Sequence, residues 1–278
     1  MLRVFVDSGS SIKQDEKEKY GVEIAPLRYL IGEKDYEDDI DLSLDEFYQK
    51  LIKEDLFPKT SLPNLEVLKE RVESYTNAGD SVIFLTISSG ISGTYNAIKN
   101  LFDGNEKVAV VDTLSAVGGI RILVHEINKY RDLPLGEVVE KVNKLIPRIK
   151  ILAIPETLSY LMKGGRLSKK DWLLGTMLKI KPVISIIKGK VEVVAKKIGL
   201  KNAMKHIVWA LKSLKCDKKY PIVAAYTYNK KNVDDLISMT DEEFKPQINE
   251  YDNLTPAIAC HWGPNAFGYI FVGDEGIN

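Results

Sequence analysis

Short apolar runs that alternate with longer amphipathic stretches leave this chain few folds to choose from. RVFVD (Arg3–Asp7), SVIFLTI (Ser81–Ile87) and KVAVVD (Lys107–Asp112) are brief, nearly unbroken apolar runs that read as strands. Helical patterns lie between them. SLDEFYQKLIKE opens with Ser43 three residues before Glu46, the spacing of a capping box. NLEVLKERVESYTNAG carries an amphipathic pattern and stops at Gly79, and TYNAIKNLF, GIRILVHEINKYRD and LGEVVEKVNKLIPRI continue the series. Such alternation predicts a parallel sheet covered by helices on both faces, a three-layer α/β arrangement. In open sheets of this kind ligands sit at the carboxyl ends of the strands. Asp7, Ser88 and Asp112 fall at those ends.

The texture changes after about Arg148. ILAIPE reads as a strand, LSYLMKGGRLS breaks at paired glycines, and KKDWLLGTMLKI reads as a helix. KPVISIIKGKVEVVAKKI reads as two strands turning at Lys188–Gly189–Lys190, which brings in antiparallel pairing. NAMKHIVWALKSL and KKNVDDLISMT read as helices, PIVAAYTY as a strand and PQINEYDNL as a weaker one. TPAIACHWGPNAFGYIFV reads as a capped helix, a Gly-Pro turn and a final strand. The expectation is two domains: residues 1–149 as an N-terminal parallel α/β domain, and 150–278 as a C-terminal α/β domain with a mixed sheet.

Composition narrows the function. The 278 residues carry a formal net charge of +0, without the basic excess a duplex-binding face needs, so no nucleic acid partner is expected. Cys216 and Cys260 form neither a zinc pattern nor a disulfide framework. No uncharged run reaches the ~20 apolar residues of a membrane span, so no stable membrane insertion is expected. MLRVFVDSGS reads as a first strand, not a signal peptide, and a cytoplasmic protein is expected.

Four hydroxyls, Ser88, Ser89, Ser92 and Thr94, crowd the point where VIFLTI hands over to a helix. They cap that helix, or they join its free N–H groups and positive dipole end in holding a carboxylate or phosphate. No Gly-Lys-Ser/Thr ends the stretch, which excludes a P-loop. Gly90-Ile91-Ser92-Gly93-Thr94 lacks the last glycine of a nucleophile elbow, yet a serine esterase using Ser92 and His261, with Asp112 or Asp252 as the acid, stays open. KTSLPN (Lys59–Asn64) has the same flavour: Pro63 suits a first helical turn, and Thr60 or Ser61 can cap it. Two hydroxyl-rich helix starts can thus converge on one anion. His125 and His206 sit in helical patterns and read as structural, whereas His261 is set among the turn residues of HWGPNAFG. In KGGRLS, Gly164 and Gly165 permit close approach and Arg166 either reaches an anion or lies in a surface turn. The acidic stretch Asp35–Glu46 reads as a solvated loop and helix start, with a metal site as the other reading and no metal expected.

Assembled, these stretches resemble the DegV family of bacterial fatty-acid-binding proteins. Asp7-Ser8, PKTSLPN, ISSGISGTYNA, VVDTLSAVGG, LMKGGRLS, LKIKPV and HWGPNAFG follow the family's order over nearly the whole chain. The resemblance implies an N-terminal α/β domain with a small insertion around residues 22–58, a C-terminal α/β domain, and one long-chain fatty acid in a tunnel between them. It implies that Thr60 and Ser92 hold the carboxylate, with His261 close by and Ser61, Gly93, Thr94, Gly165 and Arg166 around the site. It further implies a lipid-carrying, non-catalytic subunit that presents the carboxylate to a separate ATP-dependent fatty acid kinase, with no cofactor. Ile91, Leu114, Leu158, Leu161, Leu173, Leu178, Ile184 and Ile186 are the expected tunnel walls, and Arg166 is expected at the rim. The chain departs from the family at Leu62, Trp262 and Asn265. Bulky Trp262 is expected to narrow the pocket, and Asn265 to keep a left-handed turn.

Overall fold

The computed structural model describes residues 1–53, 57–168 and 179–275. Its first half runs β1 (Leu2–Asp7), α1 (Lys17–Tyr20), β2 (Glu23–Ala25), β3 (Arg28–Ile31), β4 (Lys34–Glu37), α2 (Leu44–Lys53), β5 (Lys59–Ser61), α3 (Leu65–Asn77), β6 (Ser81–Thr86), α4 (Thr94–Leu101), β7 (Val108–Asp112), α5 (Gly118–Asn128) and α6 (Leu135–Leu145). The second half adds β8 (Ile149–Ile154), α7 (Ser159–Lys163), β9 (Ile180–Ile187), β10 (Lys190–Ile198), α8 (Leu200–Ser213), β11 (Val223–Tyr226), α9 (Lys231–Met239), β12 (Glu250–Asn253), α10 (Pro256–Trp262) and β13 (Phe267–Val272). The helix expected over 169–180 falls mostly outside the described residues, as do Leu173 and Leu178.

The described strands form three sheets. The parallel sheet has the order β2-β1-β6-β7. Its apolar runs are buried on both faces: Phe5, Val82 and Phe84 pack with Leu68, Val72 and Ile98 of α3 and α4, while Val4, Val6, Ile83 and Leu85 pack under α5 and α6. Continuous apolar strands therefore behave as a doubly covered sheet requires. A small antiparallel sheet, β4-β3-β5, spans residues 28–61 together with α2. Residues Glu23–Ala25 belong instead to the parallel sheet. The mixed sheet has the order β10-β9-β8-β13-β11-β12, with β11 and β12 its parallel pair. Lys188 and Gly189 make the tight turn between β9 and β10 with positive φ angles of 47° and 80°.

Helix α5 joins the two larger sheets. Gly118 to Val124 are all buried, as are Glu126 and Ile127, because the parallel sheet lies on one side and β8, β11 and β13 on the other. A Cβ on Gly118 would sit 2.8 Å from the Cβ and Cγ1 of Val223, so the paired glycines of VVDTLSAVGG let the mixed sheet dock on the helix backbone. The far face of the mixed sheet is covered by α8 and α9.

Two local expectations are corrected. Thr60 and Ser61 do not cap a helix. They lie in β5, where Thr60 pairs with Tyr29, and the cap of α3 is Asn64, whose Oδ1 accepts from the backbone of Glu66 and Val67. An Asn at N-cap outcompetes hydroxyls three residues upstream, which the helix N–H groups cannot reach. The acidic stretch is also not wholly solvated. Asp38 is fully buried, and its Oδ1 accepts from the Ala257 N–H in the first turn of α10. The capping box at Ser43 forms as its spacing predicts, with Glu46 N–H donating to Ser43 Oγ and the Glu46 carboxylate accepting from Ser43 N–H.

Candidate functional site

The carboxyl ends of β1, β6 and β7 are stapled by their own polar residues. Asp7 accepts from the N–H groups of Gly9 and Ile87, and Asp112 from those of Ser89 and Leu114. The Ser88 hydroxyl donates to the Gly189 carbonyl at 2.7 Å and so pins the β9–β10 turn to the loop after β6. Most of the hydroxyls at that junction are thus structural. Ser92 is the one that reaches a cavity.

That cavity, of about 270 Å³, draws its walls from five places in the chain. Leu27 comes from the connection between β2 and β3, Thr60, Ser61 and Leu62 from β5 and the loop after it, and Ile87, Ile91, Ser92 and Gly93 from the loop between β6 and α4. Arg166 follows α7, and Ala257, Ile258 and His261 belong to α10. Of the expected site residues, Thr60, Ser61, Ser92, Gly93, Arg166 and His261 line it. Thr94 stands behind Ser92, and Gly165 is exposed outside the lining. Leu27, Leu62, Ala257 and Ile258 were not foreseen. Apolar residues scattered over so many segments leave no local pattern to read.

The polar groups are held from behind. Thr60 Oγ1 and His261 Nε2 are 2.7 Å apart. Ser92 Oγ accepts from the Thr94 N–H at 3.3 Å and lies 2.9 Å from Thr94 Oγ1. Arg166 Nε donates to the Ile91 carbonyl at 2.9 Å and Nη1 to the Gly164 carbonyl at 2.6 Å. It makes no ion pair with a carboxylate among the described residues. Arg166 is a half-buried wall residue clasping two loops. Burial lowers its pKa from the ordinary guanidinium value.

His261 is a neutral imidazole. Burial, with the Arg166 charge adding to it, pushes its pKa down to about 3. Its Nδ1 is buried with no hydrogen-bond partner among the described residues. Gly164 lies against that nitrogen: a Cβ there would come within 2.3 Å of Nδ1. Asp38 fixes the start of the same helix, and burial raises its own pKa to about 7.

A serine hydrolase geometry is absent among these groups. His261 pairs with Thr60, Ser92 pairs with Thr94, and Asp112 and Asp252 are committed elsewhere, the latter to Ser11 and Arg121. Among the described residues no acid orients the imidazole, which the triad logic requires.

Beyond Ile91 the cavity borders an apolar cluster of Ala153, Leu158, Leu161, Leu167, Ile184 and Val191. Three expected tunnel residues, Leu158, Leu161 and Ile184, are there, and Trp262 packs against that cluster instead of lining the cavity. Leu114 and Ile186 line a different cavity. Among the described residues the space around Thr60 and Ser92 is thus a compact chamber, smaller than a full-length tunnel. Asn265 takes the left-handed conformation expected of it, with φ 60°. No described helix is long and apolar enough to cross a membrane.

Comparison with known proteins gives one consistent result. Residues 1–274 match the profile of a family described as DegV, an uncharacterised protein family. A DegV domain-containing protein of Clostridium acetobutylicum is 32% identical over 284 residues, covering 97% of this chain and 98% of that one. Among solved structures, one described as showing fatty acid binding of a DegV family protein from Thermus thermophilus shares 27% identity with a TM-score of 0.86, covering 98% and 99% of the two chains. A fatty acid binding DegV family protein from Streptococcus agalactiae shares 25% identity with a TM-score of 0.88 and covers 99% of each chain.

Proposed function

We propose, for a chain that belongs to the DegV family, that it holds one long-chain fatty acid between an N-terminal domain of residues 1–149 and a C-terminal domain of residues 150–278. The relatives from Thermus thermophilus and Streptococcus agalactiae are described as binding fatty acids, and they share this fold over nearly its whole length. The observation that carries the reading is the convergence of Thr60, Ser92, His261 and Arg166 on one cavity whose remaining walls, Ser61 apart, are apolar or glycine.

A fatty acid carboxylate resembles a glutamate side chain, with a reference pKa of about 4.3, and is ionised near neutral pH. Burying that charge without partners costs several kcal/mol. The chamber supplies partners of the right kind. A proton on His261 Nε2 is donated to Thr60 Oγ1, which leaves the Thr60 hydroxyl hydrogen for the ligand. Thr94 occupies Ser92 Oγ in the same way and frees the Ser92 hydroxyl hydrogen. Two hydroxyls then donate to one carboxylate, with the Arg166 charge and the start of α4 behind them. Neutral donors leave lone pairs on the carboxylate free, as attack on a phosphorus requires.

The tail extends past Ile91 into the cluster of Leu158, Leu161 and Ile184. Each buried CH₂ contributes about 0.8 kcal/mol, so ~14 of them give a gross ~11 kcal/mol, part of which ordering the chain offsets. Affinity comes mainly from the tail, and the hydroxyls set the orientation of the acid. In this reading the protein makes no bond alone. It presents the carboxylate to a separate ATP-dependent kinase subunit for acyl-phosphate formation.

Organic extraction of the purified protein tests the first step. A long-chain fatty acid should appear at near one per chain, and the Thr60→Ala, Ser92→Ala double variant should retain much less. Full occupancy in that variant removes the two hydroxyls from the proposal. Acyl-phosphate formation only when kinase, ATP and loaded protein are combined tests the second step.

A further inference from the structure

A second, larger cavity of about 660 Å³ opens where β8 and β9 part. The two strands share one bridge pair, Ala153 with Ile184. Continuing that register sets Leu152 opposite Ser185 and Lys150 opposite Ile187, but no ladder pairs them. Directly opposed residues share a face of a sheet. Here that face looks toward α8, whose Trp209 and Ala210, with Leu214 just after it, close the far wall. Trp209 is 57% exposed at the cavity and stacks on His206, with ring centroids 5.2 Å apart.

Two polar side chains of this cavity are largely buried and lightly engaged. Lys150 is 8% exposed, yet its ammonium group has the Pro147 carbonyl as its hydrogen-bond partner, at 3.0 Å. No carboxylate lies within ion-pair distance of it among the described residues. Ser185 is 7% exposed, and its hydroxyl has no hydrogen-bond partner among the described residues. The only carboxylate among the described lining residues, Asp112, already accepts from the N–H groups of Ser89 and Leu114. A mostly buried ammonium held by one backbone carbonyl, and a hydroxyl free to donate, beside apolar walls, suit an anion with a hydrocarbon body. The volume falls within the ~300–1,000 Å³ usual for small-ligand sites.

We propose that this cavity is a second lipid site, taking an acyl chain with a carboxylate or phosphate head, with Lys150 as counter-ion and Ser185 as hydrogen-bond donor. The tail lies along Leu152, Ile186 and Leu214 under Trp209. The site shares no lining residue with the cavity of Thr60 and Ser92, and its occupancy does not depend on the reading given to that cavity.

Trp209 provides the readout. With the other tryptophans replaced (Trp172→Phe, Trp262→Phe), a dibrominated C18 fatty acid, its methyl ester and a dibrominated alkyl phosphate are titrated into protein as purified. Lipid per chain is counted in parallel by extraction and mass spectrometry. Saturable quenching of Trp209 by an acid or phosphate probe is expected. The tighter of the two arms identifies the head group. Lys150→Met should weaken the anionic probes by about tenfold or more, as the loss of a charged hydrogen bond does, and leave the ester unchanged. Ala210→Leu, which fills the space, should abolish quenching while any lipid held by Thr60 and Ser92 stays in place, which shows that the variant folds. Absence of saturable quenching overturns the proposal, as does equal weakening of acid and ester by Lys150→Met. Quenching without copurified lipid upholds this site and counts against the other, and the reverse result does the opposite.

Discussion

The Thr60 hydroxyl and the His261 ring, 201 residues apart in the chain, meet at 2.7 Å inside one cavity. The contact joins the edge of the small antiparallel sheet to the last turn of α10. It also settles the ring in a neutral state, since neither neighbour offers the imidazole a negative charge and burial opposes a positive one.

The His261 ring should not titrate across the physiological range. Its ¹⁵N chemical shifts should stay constant from pH 5 to 8, because burial holds its pKa near 3. The sign for stability follows. An unfolded histidine takes a proton below about 6.5 and the folded one does not, so this contribution is complete above 6.5 and is lost as pH falls toward about 3. A titration midpoint between 6 and 7 assigned to His261 refutes the buried, neutral ring.

Gly164→Ala should empty the carboxylate site without unfolding the protein. The backbone there has an ordinary φ of −73°, so alanine is tolerated locally. Its Cβ would fall 2.3 Å from His261 Nδ1, and the ring must swing away from Thr60. Copurified lipid should drop severalfold while the circular dichroism spectrum is retained. Normal lipid retention shows that His261 has no part in holding the acid.

Asp38→Asn should flatten the dependence of stability on pH. The amide oxygen still accepts from the Ala257 N–H, so the start of α10 keeps its cap. Burial raises the Asp38 pKa to about 7, against the hydrogen bond from the Ala257 N–H, with Asp39 adding repulsion and Asp7 a buried neighbour. A carboxyl with a raised folded pKa stabilises fully below its unfolded value and loses that contribution as pH rises through about 7. Between pH 4 and 7 the wild type should therefore lose stability relative to Asp38→Asn, on the order of 2 kcal/mol. Urea denaturation at several pH values measures it, and parallel curves would falsify it.

Gly118→Ala should destabilise the docking of the two larger sheets. The added methyl meets Val223 at 2.8 Å, an overpacked contact of about 1–3 kcal/mol. Val223→Ala in the same chain makes room, so the double variant should recover part of the loss in the urea midpoint. Additive losses would place the strain elsewhere.

Much of this architecture was legible along the chain. Val82–Leu85 and Val108–Val111 carry enough apolar residues in a row to demand burial on both faces, and Ser43 with Glu46 marks a helix start by reciprocal hydrogen bonds within one turn. Each signal spans a few residues and needs no distant partner. Thr60 was misread for the same reason. Its neighbours Ser61 and Pro63 fit a helix start, and only pairing with Tyr29, far upstream, makes the segment a strand. Asp38 is hidden in an acidic run most of whose members are exposed, because a charge pattern carries no record of which carboxylate meets a helix N-terminus.

Local propensity and side-chain periodicity decided the strands, the helices and which residue types stood ready at the strand ends. The tertiary structure alone decided that Ser88 ties a hairpin, that Ser92 faces a cavity, and that Arg166 clasps two loops. A hydrogen bond within one turn depends on spacing, which is written in the order of residues. A cavity depends on where five separate segments come to rest against each other, and that is fixed by packing over distances no short stretch encodes.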